Sequence, residues 1–229
     1  MKTAYAIVYC IAWPFFNLFH PCRAIGREHV PEGPVIFCPN HTRLSDPLFV
    51  AFALGLRFRP QVMAKAELLE IPVLGWILKK VGVFAVERGK SDVGAVKRAM
   101  KCLKSGDKLL LFPEGTRYKD GKMGEAKAGV ALLALRTGTP ILPMYIPPNK
   151  KWFGRTPVVF GEPYLPRAES RHGSAEEYEI IARDLMERIA ALEAQARGGS
   201  RWQSSRASAT ASGGRWSWPR RPPEARTPA

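Results

Sequence analysis

Apolar runs typical of buried strands alternate along this chain with segments of helical periodicity. The strand-type runs are VPEGPVIFCPNH, RPQVMAK, DKLLLFPEGTR, TPILPMYIPP and TPVVFGEP. The predicted helices are PLFVAFALGL and the segments 91–104, 125–136 and 176–196. Such alternation predicts an α/β domain with a mostly parallel central sheet flanked by helices. In this architecture the functional loops lie at the carboxyl ends of the strands.

The N-terminal segment 4–19, AYAIVYCIAWPFFNLF, is almost wholly apolar and rich in aromatic residues. It is shorter than the roughly 20 residues that cross a bilayer as a helix, and it contains Pro14 and Asn17. The sequence after it leads into the fold without the small-residue cleavage site of a secretory signal. We therefore expect residues 1–22 to form a membrane-anchoring, membrane-associating helix that lies in one leaflet. A core helix of the domain is the alternative interpretation.

The chain is strongly basic, with a formal net charge of +15 at pH 7. A basic surface suits nucleic acid, anionic lipid or a phosphorylated ligand, and net charge alone does not choose among them. A nucleic-acid-binding protein would account for the charge, but not for the apolar N-terminus or the apolar run 68–86. The four cysteines form no CxxC pair, so neither a disulfide framework nor a zinc site is indicated.

The last part of the chain differs in composition from the rest. Residues 197–229 are rich in Ser, Arg, Ala, Pro and Gly and lack apolar periodicity, which predicts a disordered basic tail after a folded domain of residues 23–196. Read one frame out from Arg201, allowed codons give V-A-K, two undetermined residues and G-F-C-Y-G-V-R-R-A-V-E-L-A. That string resembles the N-terminal signature of bacterial hydroxymethylbutenyl diphosphate reductases. Our hypothesis is that the reading frame overruns a downstream gene or contains a frameshift.

Candidate chemistry begins in NHTRLSDP, where His41 and Asp46 are five residues apart. On a continuous helix this spacing corresponds to about 140°, so the two side chains would not share a face. They can meet only if His41 lies in a loop and Asp46 lies at the start of the following helix, where Asp46-Pro47 is typical of an N-cap. The carboxylate would then orient the imidazole, whose other nitrogen could take a proton from a substrate hydroxyl. A helix cap and a loop histidine bonded to backbone are the alternatives.

A second candidate site lies in FPEGTR, where a strand-type run delivers polar residues into a tight turn. Gly115 permits close backbone approach, and Arg117 offers a planar fork that suits phosphate. A solvated turn with a local Glu-Arg pair is the alternative. Lys65, Arg88 and Lys127 are further cations beside apolar stretches, and each is also compatible with an ordinary surface charge.

Four segments resemble, in order, the four blocks of the 1-acylglycerol-3-phosphate acyltransferase family, the bacterial lysophosphatidate acyltransferases. They are NHTRLSDP, KAELLEIPVLGWILKKVGVFAVERG, LFPEGTR and TPILPMYI. The resemblance implies that His41 is the general base and that Asp46 orients it. It also implies a set of substrate-binding positions that shape the glycerol-phosphate site. These are Lys65, Arg88, Glu114, Gly115, Thr116 and Arg117.

The resemblance further implies a reaction in which a lipid hydroxyl attacks an acyl thioester directly. The product would be phosphatidate, made from 1-acyl-sn-glycerol 3-phosphate with acyl-CoA or acyl carrier protein as co-substrate and with no metal or other cofactor. The implied partners are the lysophospholipid, the acyl thioester and the membrane surface at the cytoplasmic face of the cell membrane, and no nucleic acid. Alternatives are another acceptor, such as glycerol 3-phosphate, and a mechanism in which Cys38 is a nucleophile.

Overall fold

One sheet of seven strands organises the computed structural model, which describes residues 2–87, 92–118, 123–170 and 173–198. The strands are β1 (Cys22–Ile25), β2 (Ile36–Pro39), β3 (Gln61–Lys65), β4 (Val83–Val86), β5 (Leu109–Leu110), β6 (Ile141–Tyr145) and β7 (Thr156–Phe160). Their order across the sheet is β1-β7-β6-β2-β5-β3-β4. Neighbouring strands run parallel, except that β6 and β7 are antiparallel. The predicted α/β fold with a mostly parallel sheet is therefore confirmed.

Helices connect most of these strands. Among the described residues they are α1 (Lys2–Phe19), α2 (Asp46–Leu54), α3 (Leu74–Lys80), α4 (Val93–Lys104), α5 (Gly129–Thr137), α6 (Ala175–Ala191) and α7 (Glu193–Arg197). None of them combines the length and the apolar character that a helix needs to cross a bilayer. Arg88 and most of the tail predicted for 197–229 lie outside the described residues, so the disorder and reading-frame hypotheses stay predictions.

Two helix boundaries differ from the prediction for a physical reason. Helix α5 begins at Gly129 rather than at 125, because the preceding segment bonds to the FPEGTR turn. There the backbone N–H of Lys127 donates to the carbonyl of Pro113 at 2.9 Å, and that of Gly124 donates to the Glu114 carboxylate at 3.1 Å. The prediction that Asp46 is the N-cap of α2 is wrong by one residue, because Ser45 occupies that position.

The sheet is buried on both faces, because alternate side chains of its strands enter two different apolar clusters. Ile36 and Cys38 of β2 pack with residues of α4, α5 and α6, whereas Phe37 packs with residues of α2. Strands that are covered on both faces have sequences of consecutive apolar residues, and this is the pattern seen in the chain.

Helix α1 covers α2 with aromatic side chains and leaves another face uncovered. The ring of Phe16 lies 4.8 Å from that of Phe49 and 4.5 Å from that of Phe52, and Tyr9 lies 5.1 Å from Phe52. A second set of apolar side chains on α1 is between 56% and 67% exposed. These are Ile7, Ile11, Phe15 and Leu18. The core-helix interpretation therefore accounts for only one side of α1.

Candidate active site

Three loops converge because β6, β2 and β5 are parallel neighbours in the sheet. The carboxyl ends of parallel strands lie at the same edge, so the segments that follow them meet there. The loop after β2 carries NHTRLSDP, the segment after β5 carries FPEGTR, and the loop after β6 carries IPPNKKW. The first two were expected at this edge, whereas the third was not singled out from the sequence.

The structure brings the His41 and Asp46 side chains together in the geometry predicted from their spacing. Nδ1 of His41 lies 3.0 Å from Oδ2 of Asp46, with His41 in the loop and Asp46 as the first residue of α2. The same Oδ2 accepts the backbone N–H groups of Thr42 and Arg43, both at 2.7 Å. Because Asp46 occupies Nδ1, Nε2 is the ring nitrogen that can take a substrate proton.

The other carboxylate oxygen of Asp46 is paired with a cation that the sequence patterns did not indicate. Nζ of Lys150 lies 2.7 Å from Oδ1 of Asp46, and both side chains are buried, at 3% and 0% exposure. The ammonium also donates to Oγ1 of Thr42 at 3.2 Å. Burial favours the neutral acid, but the hydrogen bond from His41 and the charge of Lys150 prevail and hold the pKa of Asp46 below its ordinary value. Asp46 is therefore an ionised partner for the imidazole.

Two more buried side chains fix the position of the His41 loop. Asn40 donates from Nδ2 to the carbonyl of Ile146 at 2.9 Å and accepts its N–H at Oδ1 at 2.8 Å, which ties the loop to the end of β6. Oε1 of Glu114 accepts the N–H of His41 at 2.7 Å. Burial raises the pKa of Glu114, and the hydrogen bonds that its carboxylate accepts from the backbone N–H groups of His41 and Gly124 reduce this rise. Glu114 thus holds the backbone of His41.

Two cavities are lined by neighbours of the His41–Asp46 pair. The polar cleft, of about 970 Å³, begins at Thr42 and Arg43 and includes Arg117 and Arg197. The apolar cleft, of about 530 Å³, includes Phe112 together with side chains of β3, α4 and α5. The ring of Phe112 stacks on that of His41 with centroids 4.0 Å apart. The charged cavity is thus lined by the residue that follows His41, and the apolar cavity by the ring that stacks on it.

Of the remaining predicted site residues in the described part of the chain, Gly115 and Arg117 line these cavities. Arg117 lines the polar cleft, and Thr116 is exposed in the same turn. Gly115 has a φ of 66°, in the left-handed region that favours glycine, and a Cβ at this position would displace the flexible end of the Lys127 side chain. Lys65 is exposed at the end of β3 and pairs with Glu67 at 2.5 Å.

The nucleophile alternative does not fit the structure. Cys38 is 0% exposed inside the apolar cluster beneath α4 to α6, and burial raises the pKa of its thiol. A buried neutral thiol lacks both the thiolate character and the access that a nucleophile needs. Within the described part of the chain, no group of three or more His, Cys, Asp or Glu side chains could hold a metal ion.

Several known proteins that are similar to this chain in sequence or fold are acyltransferases. A model of the acyltransferase family matches residues 22–147, which is more than half of the chain. A 1-acyl-sn-glycerol-3-phosphate acyltransferase of Bacillus subtilis is 30% identical over 75% of this chain and 87% of its own length. One from Pseudomonas aeruginosa is 34% identical over 56% of this chain and 49% of its own.

A solved structure supports the same grouping. The crystal structure of the 1-acyl-sn-glycerophosphate acyltransferase PlsC from Thermotoga maritima is 26% identical, with a TM-score of 0.58 over 88% of this chain and 79% of that one. The matched region spans about a third to a half of the length of several curated relatives, between 35% and 52%.

We expect Lys150→Met to destabilise the fold by about 3–5 kcal/mol, because it leaves the buried charge of Asp46 uncompensated. The pKa of Asp46 is lowered, so its stabilising effect is complete above its ordinary value of 3.8 and is lost as pH falls through the lower folded-state value. Without the ammonium the folded-state pKa rises, so acid unfolding should begin at a higher pH. Urea unfolding between neutral pH and about pH 3 measures both effects.

Two variants control this measurement. Lys151→Met removes the neighbouring exposed lysine and should unfold like the unmodified protein. Adding Asp46→Asn to Lys150→Met removes the uncompensated charge and should recover part of the lost stability. Indistinguishable acid profiles for Lys150→Met and Lys151→Met would contradict a role for the Lys150–Asp46 ion pair.

Proposed function

Since the chain belongs to the acyltransferase family, we propose that it transfers an acyl group from acyl-CoA or acyl carrier protein to 1-acyl-sn-glycerol 3-phosphate. The acceptor is the free hydroxyl of that lipid, and the product is phosphatidate for phospholipid biosynthesis. The observation that carries the proposal is the buried His41–Asp46 pair, which leaves Nε2 available at the edge where the loops converge. The names of the relatives support the choice of acceptor.

The proposed mechanism needs only groups of this chain and the two substrates. Nε2 of His41 takes the proton as the acceptor oxygen attacks the thioester carbonyl carbon. Asp46 keeps the imidazole in the required tautomer and stabilises the imidazolium that forms. The carbon–sulfur bond then breaks, and the imidazolium returns the proton to the leaving thiolate. The thioester is already activated, so the mechanism has no covalent enzyme intermediate.

The two cavities suggest how a substrate with a charged end and an apolar end would lie. The phosphate would bind in the polar cleft, where the guanidinium of Arg117 can form paired hydrogen bonds to its oxygens. An acyl chain would lie in the apolar cleft, between α4 and α5. In this arrangement the free hydroxyl of the lipid, which neighbours its phosphate, would lie close to His41. Lys65 and Arg88 remain further candidates for the phosphate.

Under this proposal the protein acts as a peripheral enzyme at the cytoplasmic face of the cell membrane. Helix α1 supports this location, because its packed side is aromatic and its opposite side is also apolar and exposed. A helix that is apolar on all sides normally has all of them buried, and a lipid leaflet would bury the second side of α1. The basic charge of the chain favours an anionic leaflet.

We expect His41→Ala to lower kcat by about a thousandfold, because it removes the imidazole that takes the proton. The assay is turnover of labelled lysophosphatidate with acyl-CoA and acyl carrier protein in parallel. His29→Ala is the matched control, since His29 pairs with Glu162 outside the site and should retain the native rate. A folded His41→Ala protein with native turnover would refute the mechanism.

We expect Arg117→Ala to raise KM for the acceptor at least about tenfold, because it removes a charge-assisted pair to the phosphate. Arg117→Lys should recover only part of the affinity, since a point charge cannot reproduce the planar fork. Arg136→Ala, at an exposed arginine in the last turn of α5, should leave KM unchanged. Equal acceptor KM values in all three variants would assign Arg117 a role other than substrate binding.

We expect Ile11→Asn combined with Phe15→Asn to weaken vesicle binding by at least about tenfold, because it replaces two apolar side chains of the exposed α1 face. The aromatic side that packs on α2 is untouched, so the melting temperature should be retained. Leu165→Asn with Ile180→Asn, at other exposed apolar positions, serves as the control. If the α1 variant binds vesicles as tightly as the unmodified protein, the membrane anchor lies elsewhere in the chain, for example in the apolar run 68–86.

A further inference from the structure

The turn between β6 and β7 carries two large aromatic side chains into solvent beside the active site. Trp152 and Phe153 are 67% and 66% exposed. Their rings lie 6.2 Å and 5.7 Å from that of Phe19, and the ring of His20 lies 4.5 Å from that of Trp152. Exposed apolar side chains that lie next to each other, rather than singly, indicate an interaction surface.

Both ends of this turn are fixed by hydrogen bonds and an ion pair. Before the tip, Nε of Arg43 donates to the carbonyl of Pro148 at 3.0 Å, and Lys150 pairs with Asp46. On the other side of the turn, the N–H of Phe153 donates to the carbonyl of Phe19 at 2.8 Å, and the N–H of Thr156 donates to the carbonyl of Pro21 at 2.9 Å. The turn is thus attached both to the acid–base pair and to the end of α1.

The backbone of the turn is strained in a way that presents an aromatic ring. Phe153 has a φ of 59°, which is unusual for a bulky side chain. Such a conformation persists only where the surrounding contacts impose it, and it is concentrated at functional positions. Here the imposed conformation leaves the ring of Phe153 exposed instead of burying it.

Charge and position identify the partner. Lys151 and Arg155 are exposed on either side of Trp152 and Phe153. Aromatic side chains flanked by Lys or Arg are typical of protein that lies at the membrane–water interface, where the rings enter the headgroup region and the cations meet anionic lipid. The exposed apolar face of α1 ends beside this turn, because Phe19 contacts both of its rings.

We propose that residues 151–155, the aromatic turn, insert into an anionic membrane interface as a second contact besides α1 and hold the active-site edge against the bilayer. This inference rests on the proposed function, because a lipid acceptor has to reach His41 from the membrane. It adds the element next to the acid–base pair that faces the lipid. Lys150, which immediately precedes the turn, connects this membrane contact to Asp46.

The test is sedimentation of the full chain with vesicles of phosphatidylcholine and phosphatidylglycerol, which requires no acyl transfer. Trp152→Ala combined with Phe153→Gly should lower the partition coefficient by about tenfold, because two interfacial rings are lost. Glycine at 153 accepts the positive φ, so the turn should keep its conformation. Lys151→Glu with Arg155→Glu should weaken binding to anionic vesicles and leave binding to pure phosphatidylcholine unchanged.

The matched control is the double variant Leu165→Asn with Ile180→Asn, because both side chains are exposed apolar groups and Leu165 follows Tyr164, which pairs with the first residue of β6 rather than with the edge that carries the site. It should bind vesicles like the unmodified protein. An equal loss in the Leu165/Ile180 variant, or native vesicle affinity in the Trp152/Phe153 variant, would overturn the proposal. So would a variant that binds vesicles normally but loses turnover only with acyl carrier protein, because the turn would then contact the donor.

A second measurement separates this inference from the proposed function. Turnover of a short-chain, water-soluble lysophosphatidate should be native in the Trp152/Phe153 variant, whereas turnover of a vesicle-bound acceptor should fall. The absence of acyl transfer in the unmodified protein would refute the proposed function and leave the vesicle-binding result intact.

Discussion

The ionised carboxylate of Asp46 is the group on which the rest of the site depends. It is fully buried, and burying a charge is costly unless donors surround it. The chain supplies the ring of His41, two loop amides and the ammonium of Lys150, and the N-terminus of α2 adds a favourable dipole. Satisfying this one charge brings the loop after β2 and the loop after β6 together, and it also fixes the tautomer and orientation of the imidazole.

The sheet topology makes that convergence possible. Strand β2 lies between β5 and β6 and runs parallel to both, so three loops leave the same edge side by side. Asn40 then joins the first loop to the end of β6, and Glu114 joins it to the FPEGTR turn. Because the loop that carries His41 is held from both neighbouring strands, the imidazole is positioned by rigid elements rather than by its own loop alone. This is the preorganisation that general-base chemistry requires.

The sequence predicted the interactions that are local or that follow from the order of the strands. The parallel sheet followed from strand and helix alternation, the His41–Asp46 geometry followed from their five-residue spacing, and the family resemblance is confirmed. Lys150 was missed because its partner is about a hundred residues away in the chain, and spacing carries no information at that range. Applying the strand-end rule to IPPNKKW after β6 would have placed it near the site. The start of α5 was misjudged because bonds from Lys127 and Gly124 to the FPEGTR turn outweigh local helix propensity.

Other long-range contacts connect the His41–Asp46 pair to the apolar surface of the molecule. The carbonyl of Phe19, at the end of α1, accepts the N–H of Phe153, three residues after the lysine that neutralises Asp46. Helix α1 buries one apolar side on α2 and exposes the other, so its own packing does not explain its composition. An apolar acyl chain and a phosphate would require a base located where an apolar surface and a cationic cleft meet. Helix α1 is bonded to the turn after β6, and the Lys150–Asp46 ion pair holds that turn. Arg117 belongs to the FPEGTR turn, which is held by the hydrogen bond between Glu114 and His41. Together, these elements would provide that position.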